Sequence, residues 1–207
     1  MHPNPAFCKT PAQTNLDFAR ERGFGILSIN GDPAPLIAHI PFALSDDGKT
    51  ADLHLVRSNP IAHACTGTMN AVIAVSGPDS YISPDWYGAD DLVPTWNYTA
   101  IHLRGTLTRL LPEDLRASLD TLAAQFENRL LPKPPWSNAK MPPEALAKMM
   151  RMITPFRFDI ETVDGTWKLG QNKPESARLS AAQNVQAYGI GSETALLAAL
   201  MMAPDTE

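Results

Sequence analysis

Residues 24–57 read FGILSINGDPAPLIAHIPFALSDDGKTADLHLVR, and their pattern gives the clearest indication of the architecture. It holds three apolar segments separated by two turn signals that are rich in Gly, Asp and Pro. Turns this short join antiparallel strands, because a parallel connection needs a long crossover. The three predicted strands are residues 24–30, 35–44 and 51–57.

Outside this stretch, the pattern predicts further strands with helices inserted between them. The other predicted strands are residues 71–76, 95–110, 156–163 and 166–170, the last two joined by the hairpin signal Asp164-Gly165. The predicted helices are residues 10–22, a short one starting at Pro60, 112–130, 143–153, 174–188 and 192–203. Residues 77–93 are predicted to form a long loop. A small closed or half-closed barrel fits this order, since closure removes exposed sheet edges.

Composition favours a globular, intracellular protein. The 207 residues are 44% hydrophobic and 19% charged, and the formal net charge is −5. A chain of this charge repels nucleic acid unless it holds a local basic patch. The two cysteines, Cys8 and Cys65, form no CxxC pair, and we expect reduced thiols. With no spanning apolar run and no signal-peptide pattern, we expect a cytoplasmic location.

The segment Arg57-Ser58-Asn59-Pro60 is a candidate phosphate site. A strand gives way to a helix there, and the first turn of a helix presents backbone N–H groups and a partial positive charge. Arg57 adds a bidentate partner for phosphate oxygens. The alternative is an ordinary capped helix on the surface with an arginine beside it.

Two aromatic clusters and one polar pair are candidates for holding a flat ligand. The clusters are residues 81–87, YISPDWY, and residues 93–98, VPTWNY. Rings of this kind give stacking area with little entropy to lose, although they would also close one end of a barrel. Gln171 and Asn172 carry amides that both donate and accept, as the edge of a flavin requires. Their alternative role is a turn before the next helix, with the neighbouring lysines in water.

Six strings in this order resemble one known family. The strings are residues 24–27, 38–41, 54–60, 77–87, 93–98 and 167–172. Together they resemble the PaiB-like FMN-binding negative transcriptional regulators, within the wider group of split-barrel flavoproteins that includes pyridoxamine 5′-phosphate oxidases and flavin reductases. The resemblance covers about residues 1–178, and its most specific strings are YISPDWY, VPTWNY and KLGQN.

The resemblance implies a mostly β fold with peripheral helices, an antiparallel FMN-binding split barrel. It implies a homodimer with FMN at the subunit interface. The flavin ring would be lined by Ala38, His39, Ile40 and Pro41. The ribityl phosphate end would be held by His54, Val56, Arg57, Ser58, Asn59 and Pro60. The ring system would also be approached, in part from the other subunit, by Trp96, Asn97, Gln171 and Asn172. We expect residues 1–173 to form the barrel domain and residues 174–207 a helical extension.

Two functions are then candidates: a regulator linked to flavin or its redox state, and an FMN-dependent oxidoreductase. A third candidate is a flavin carrier without catalytic activity. No catalytic acid or base can be assigned, and the histidines form no HExxH or other metal-ligand spacing. GxGxxG is absent, which disfavours a dinucleotide-binding domain. The last predicted helix contains no Lys, Arg, Asn or Gln, so any DNA contact is expected to be indirect.

Overall fold

The computed structural model describes residues 2–204, and six of their strands close a barrel. The order around the barrel is β1-β2-β3-β6-β5-β4, and the pairs β1–β2, β1–β4, β2–β3 and β3–β6 are antiparallel. The predicted fold class is therefore confirmed. The strands are β1 Phe24–Ile29, β2 Leu36–Leu44, β3 Thr50–Val56, β4 Thr68–Ile82, β5 Thr95–Arg109 and β6 Ile153–Lys168.

The predicted helices form close to their expected places. They are α1 Ala12–Arg22, α2 Pro60–Ala64, α3 Leu115–Glu127, α4 Pro143–Met150, α5 Glu175–Tyr188 and α6 Thr194–Met202. Short 3-10 turns occupy Pro5–Phe7, Pro84–Tyr87, Pro112–Asp114, Asn128–Leu130 and Asn138–Lys140. In the described chain, no helix combines the length and the apolar character that crossing a membrane demands.

The three strands within residues 24–57 pair as expected. Strand β1 pairs with β2 from Phe24 opposite Pro41 to Ile29 opposite Leu36. Strand β2 then pairs with β3, beginning with Phe42 opposite Leu53. The two turn signals of the sequence therefore join consecutive strands of one sheet.

Alternate residues of the strands fill the barrel. On β5, Ile101, Leu103 and Leu107 are fully buried, as the period-2 pattern predicts. Between them Gly105 lies so close to β6 that an added Cβ would stand 1.9 Å from the backbone oxygen of Asp159. Only glycine permits this approach of the two strands.

The described chain forms two compact units. The barrel unit comprises residues 18–74 and 103–162, and it contains the β1–β2–β3 sheet together with α2, α3 and α4. The terminal unit comprises residues 2–17, 75–102 and 163–204. The domain boundary expected at residue 173 stays a prediction.

Side-chain hydrogen bonds between distant parts of the chain hold the terminal unit together. The backbone N–H of His2 donates to Thr166 Oγ1 at 3.3 Å. The indole Nε1 of Trp167 donates to Asn15 Oδ1 at 2.7 Å. Arg178 donates through its guanidinium to the carbonyls that end α6. Helices α5 and α6 pack against each other in the same unit.

The prediction of a long loop from residue 77 is wrong, because β4 continues to Ile82. Its Gly-Pro-Asp-Ser sequence is typical of a turn, yet the backbone there is paired. Asp79 N–H donates to the carbonyl of Ser192 at 3.0 Å, and Tyr81 N–H donates to that of Ile190 at 2.9 Å. The connection between α5 and α6 thus supplies the hydrogen bonds that keep this segment extended.

The hairpin predicted at Asp164-Gly165 is also wrong, because β6 runs unbroken from Ile153 to Lys168. Gly165 serves a close contact instead of a turn. A Cβ at this position would lie 2.2 Å from Asn15 Oδ1. The chain turns only at Gly170, whose φ of +80° places it in the left-handed region.

Candidate functional site

The residues that the sequence predicts as a cofactor site fall into two sets. Residues 38–41, 54 and 56–60 belong to the barrel unit, and residues 96, 97, 171 and 172 belong to the terminal unit. Each set is described within its own unit.

Segment 38–41 lies on β2, and its side chains alternate between the two faces of the sheet. Ala38 and Ile40 are buried in the barrel. His39 is exposed on the outer face, where its ring stacks on that of Phe24 with centroids 6.4 Å apart. Pro41 is half-buried on the same outer face. Of these four residues, His39 and Pro41 therefore have side chains that can contact a ligand outside the barrel.

His54 and Val56 lie on the outer face of β3. The Nδ1 atom of His54 is buried and has no hydrogen-bond partner in the described chain. Burial lowers the pKa of this imidazole below its ordinary value, so the neutral ring is favoured. Val56 is half exposed. Since Phe42 pairs with Leu53, the next residues of the two strands, Pro41 and His54, are neighbours.

The segment after β3 presents its donors differently from the prediction. Its backbone N–H groups are largely occupied: Arg57 donates to Met152 O, Asn59 to Val56 O, and Ile61 to the capping oxygen of Asn59. Helix α2 has only five residues. By contrast, the Arg57 guanidinium and the Ser58 hydroxyl have no hydrogen-bond partner among residues 2–204. A phosphate here would be held by side chains rather than by the first turn of the helix.

In the terminal unit, Trp96 and Asn97 follow Thr95 at the start of strand β5 and differ sharply in exposure. Trp96 is 47% exposed, and its ring meets Tyr81 edge to face at 6.3 Å. Asn97 is buried, and its Nδ2 lies 3.5 Å from the sulfur of Met201. Trp96 thus offers an open indole face, whereas Asn97 already contacts α6.

Gln171 takes part in the turn that was the alternative to a flavin contact, through partners that the sequence does not indicate. Its Oε1 accepts from Leu169 N–H at 2.8 Å, and its Nε2 donates to the carbonyls of Ala6 and Trp167. This amide therefore shapes the turn after β6 and ties the N-terminal segment to it. Asn172 is exposed, and it shares the lining of one pocket with Asn97.

This pocket, which we name the lysine pocket, has a volume of about 240 Å³. Its lining consists of His2, Asn4, Phe7, Tyr87, Val93, Thr95, Asn97, Lys168, Gly170, Asn172 and Lys173. The alternative to a ligand role for this segment left Lys168 and Lys173 in water. Instead, burial together with the neighbouring charge of Lys173 lowers the pKa of Lys168. Only their spacing around the Gln-Asn pair marks these lysines in the sequence.

Two other cavities lie in the barrel unit. A polar one of about 370 Å³ is bordered by Ser28, Asn70, Arg104 and Glu161. An apolar one of about 400 Å³ lies between α3, α4 and the outer face of the sheet, with Pro41 and Ile153 at its floor. Among residues 2–204, no His, Cys, Asp and Glu side chains group as a metal site would require.

The outer-face residues of the barrel unit fit the parts of FMN. The ribityl phosphate needs cationic and hydroxyl donors, and Arg57 and Ser58 supply both without a competing protein partner. The Nδ1 atom of His54 is buried and has no hydrogen-bond partner in the described chain, and a ligand would supply one. Within the terminal unit, considered by itself, the exposed ring of Trp96 offers a stacking surface for a flat group.

Comparisons with known proteins agree with the predicted family. Residues 1–162 match the family described as "Putative FMN-binding domain". The Bacillus subtilis "Protease synthase and sporulation protein PAI 2" is 27% identical over 182 residues, covering 87% of this chain and 86% of that protein. The chain is therefore a member of this FMN-binding domain family, and the predicted family and cofactor are confirmed.

Two solved structures resemble the fold. One is the FAD and heme binding protein from Mycobacterium smegmatis, with a TM-score of 0.58 and 16% identity over 89% of this chain and 81% of that one. The other is described as a putative 5-nitroimidazole antibiotic resistance protein from Bacteroides thetaiotaomicron, with a TM-score of 0.52 and 14% identity over 76% and 84%. At this identity the likeness establishes the shared barrel fold.

Proposed function

We propose that this protein binds FMN as a homodimer and acts as a flavin-linked regulator in the cytoplasm. The observation that carries the proposal is the family match over residues 1–162, joined to an unpaired guanidinium at Arg57 beside the exposed end of β3. The two thiols, Cys8 and Cys65, are both free, which suits a reducing compartment.

The phosphate of FMN is assigned to Arg57 and Ser58. Arg57 is exposed, and no carboxylate of the described residues forms an ion pair with it. A phosphate dianion would satisfy its fork of donors bidentately. His54, two strand positions away from Val56, would give its neutral imidazole to the ribityl chain.

The partner subunit is assigned to the outer face of β1 and β2. This face exposes large apolar side chains, with Ile37 62% and Phe24 54% exposed. Ile37 lies directly opposite Ser28 in the β1–β2 register. Ser28 faces the same side of β1 as Phe24, because alternate residues of a strand share a face, so Ile37 and Phe24 lie on one side of the sheet. Exposed apolar patches of this kind are typical of protein interfaces. A second copy covering this face would bring its flavin contacts to the same surface.

If the protein is a regulator, its terminal unit is better suited to bind another protein than to bind DNA. Helix α6 contains no basic or amide side chain, and Arg178 on α5 is buried against the end of α6. Any effect on transcription would then pass through a partner protein. Specific, salt-sensitive binding of promoter DNA by the pure protein would contradict this part of the proposal.

The phosphate assignment is tested by titrating FMN and riboflavin into the wild type and R57A. The variant should lose FMN affinity by about 1.5–3 kcal/mol, the range for a charge-assisted hydrogen bond. Riboflavin carries no phosphate, so its affinity should be the same for both proteins. R116A, which removes another exposed charge, from α3, is the control. Equal loss of both ligands would remove Arg57 from the phosphate site.

The dimer is tested by light scattering after gel filtration. I37E should shift the protein toward monomer and weaken FMN, because a charge replaces an apolar contact at the interface. L111E changes a residue of the same 62% exposure outside the β1–β2 face and should leave the dimer intact. A wild-type monomer, or a dimer unaffected by I37E, would contradict the proposed interface.

The regulator is distinguished from an oxidoreductase by anaerobic mixing of FMN-loaded protein with NADH or NADPH. A regulator should show no turnover with an added electron acceptor. Sustained turnover would favour the oxidoreductase, since flavin chemistry needs few protein groups.

A further inference from the structure

The lysine pocket carries an unbalanced positive charge within the terminal unit. Lys168 donates to the hydroxyl of Thr95, and the ring of Tyr87 lies 5.9 Å from the ammonium of Lys173. Within residues 2–204, neither lysine forms a salt bridge with a carboxylate. Both ammonium groups therefore retain donors that no protein acceptor of the described chain satisfies.

The fold brings these two lysines to one pocket through the turn at the end of β6. Lys168 is the last residue of the strand, and Lys173 N–H closes the turn on the carbonyl of Gly170 at 2.9 Å. Gly170 adopts a φ of +80°, which side chains rarely allow. The hydrogen bonds of Gln171 fix the same turn from inside. The lysines are thus held near each other by the backbone and not by a shared acid.

Neutral hydrogen-bonding groups complete the lining. Asn97 is buried, Asn172 is exposed, and each carries an amide that can donate. Burial raises the pKa of Tyr87, which keeps its phenol protonated and uncharged. No Asp or Glu lines the pocket. Two lysine cations, three asparagine amides and no carboxylate are the donor set of an anion site.

We propose that the lysine pocket binds a small oxyanion, a carboxylate or a phosphate group, between Lys168 and Lys173. At about 240 Å³ it is smaller than the roughly 300–1,000 Å³ of pockets that enclose drug-sized ligands, so it takes a small anion or the charged end of a larger molecule. The proposal holds whether or not the protein binds FMN. Desolvation of Lys168 strengthens its attraction for an anion, because the competing water is partly excluded.

The test is calorimetric titration of inorganic phosphate and, separately, of succinate into the full chain at low ionic strength. K168M and K173M keep much of the apolar stem and remove one charge, and each should weaken binding by about tenfold or more. K168R should retain part of the affinity. K148M removes one exposed lysine from α4 and should match the wild type. Far-UV circular dichroism establishes that each variant is folded.

Repeating the phosphate titration with saturating FMN identifies the source of the anion. Competition that persists in R57A would assign the pocket to the phosphate of FMN, and independent binding would assign it to a separate small anion. The proposal is overturned if the folded wild type binds neither probe at millimolar concentration, or if K148M weakens binding as much as K168M. Because these titrations need no flavin, their failure is distinct from failure of the proposed FMN function.

Discussion

The barrel unit and the terminal unit both bury apolar side chains, but they differ in how many polar side chains they bury. In the barrel unit the largest fully buried side chains include Phe42, Phe156 and Phe158. The terminal unit instead holds most of the buried polar residues of the described chain, which are Asn15, Ser80, Asn97, Thr99, Thr166 and Arg178. Apolar packing is non-directional, whereas each buried polar group needs one partner in one place. The terminal unit should therefore tolerate loss of a hydrogen bond less well than loss of a surface charge.

The largest effect is expected from opening a cavity in the barrel unit. F156A removes a fully buried ring from β6 and should lower the free energy of unfolding by about 3–5 kcal/mol, measured by urea denaturation. F156L retains most of the volume and should lose much less. A loss below about 1 kcal/mol for F156A would mean that the barrel interior does not depend on this packing.

A smaller but still large effect is expected from the buried arginine of the terminal unit. Arg178 is only 8% exposed and donates to the carbonyls of Met201 and Met202. R178M should cost about 1.5–3 kcal/mol in urea denaturation, because the carbonyls at the end of α6 lose charged donors. R116M is the exposed control. Equal stability of R178M and R116M would break the contrast between the units.

The matching change in the barrel unit concerns an exposed arginine. Arg157 on β6 pairs with Asp52 on β3 at 3.0 Å, and its side chain is 47% exposed. R157M should cost only about 0.2–1 kcal/mol at low salt, and the difference should vanish near 1 M salt. A larger, salt-independent loss would show that this surface pair is more than a screened ion pair.

The smallest effect on the free energy of unfolding is expected for His54, and it appears only at acidic pH. Burial lowers the pKa of His54 below its ordinary value of 6.5. Above pH 6.5 the ring is neutral in folded and unfolded chains, and its contribution is complete. As pH falls, the unfolded chain takes up the proton first. The free energy of unfolding therefore decreases from pH 6.5 down to the lower pKa of His54 in the folded protein. H54Q should flatten the fall of unfolding free energy between pH 8 and pH 5; an unchanged slope would contradict burial as the cause.

The sequence predicted the barrel unit well because its signals are local. The turns after β1 and β2, the start of α2 at Pro60 and the position of α3 all follow from near neighbours. Both wrong predictions, the loop at 77–82 and the hairpin at 164–165, lie in the terminal unit. There, partners more than a hundred residues away override local turn signals, as with Asp79 and Ser192. No propensity carries that information.

The candidate site divides along the same line. The exposed Arg57 at the end of a strand was predictable, since strand and helix signals meet there. The engagement of Gln171 with Ala6 and Trp167 was not, because nothing near Gln171 marks these acceptors. The desolvation of Lys168 likewise depends on packing that only the structure supplies.

The hydrogen bonds that join residues 2–17 to residues 163–171 can form only late in translation. Asn15 leaves the ribosome early, yet its partner Trp167 is 152 residues further along the chain. At about 5–20 residues per second, the first segment waits roughly 8–30 s for that partner. During this interval its carboxamide has only water and local backbone as partners. Slowing translation between residues 18 and 162 should therefore lengthen the exposure of the nascent N-terminal segment to proteases and chaperones.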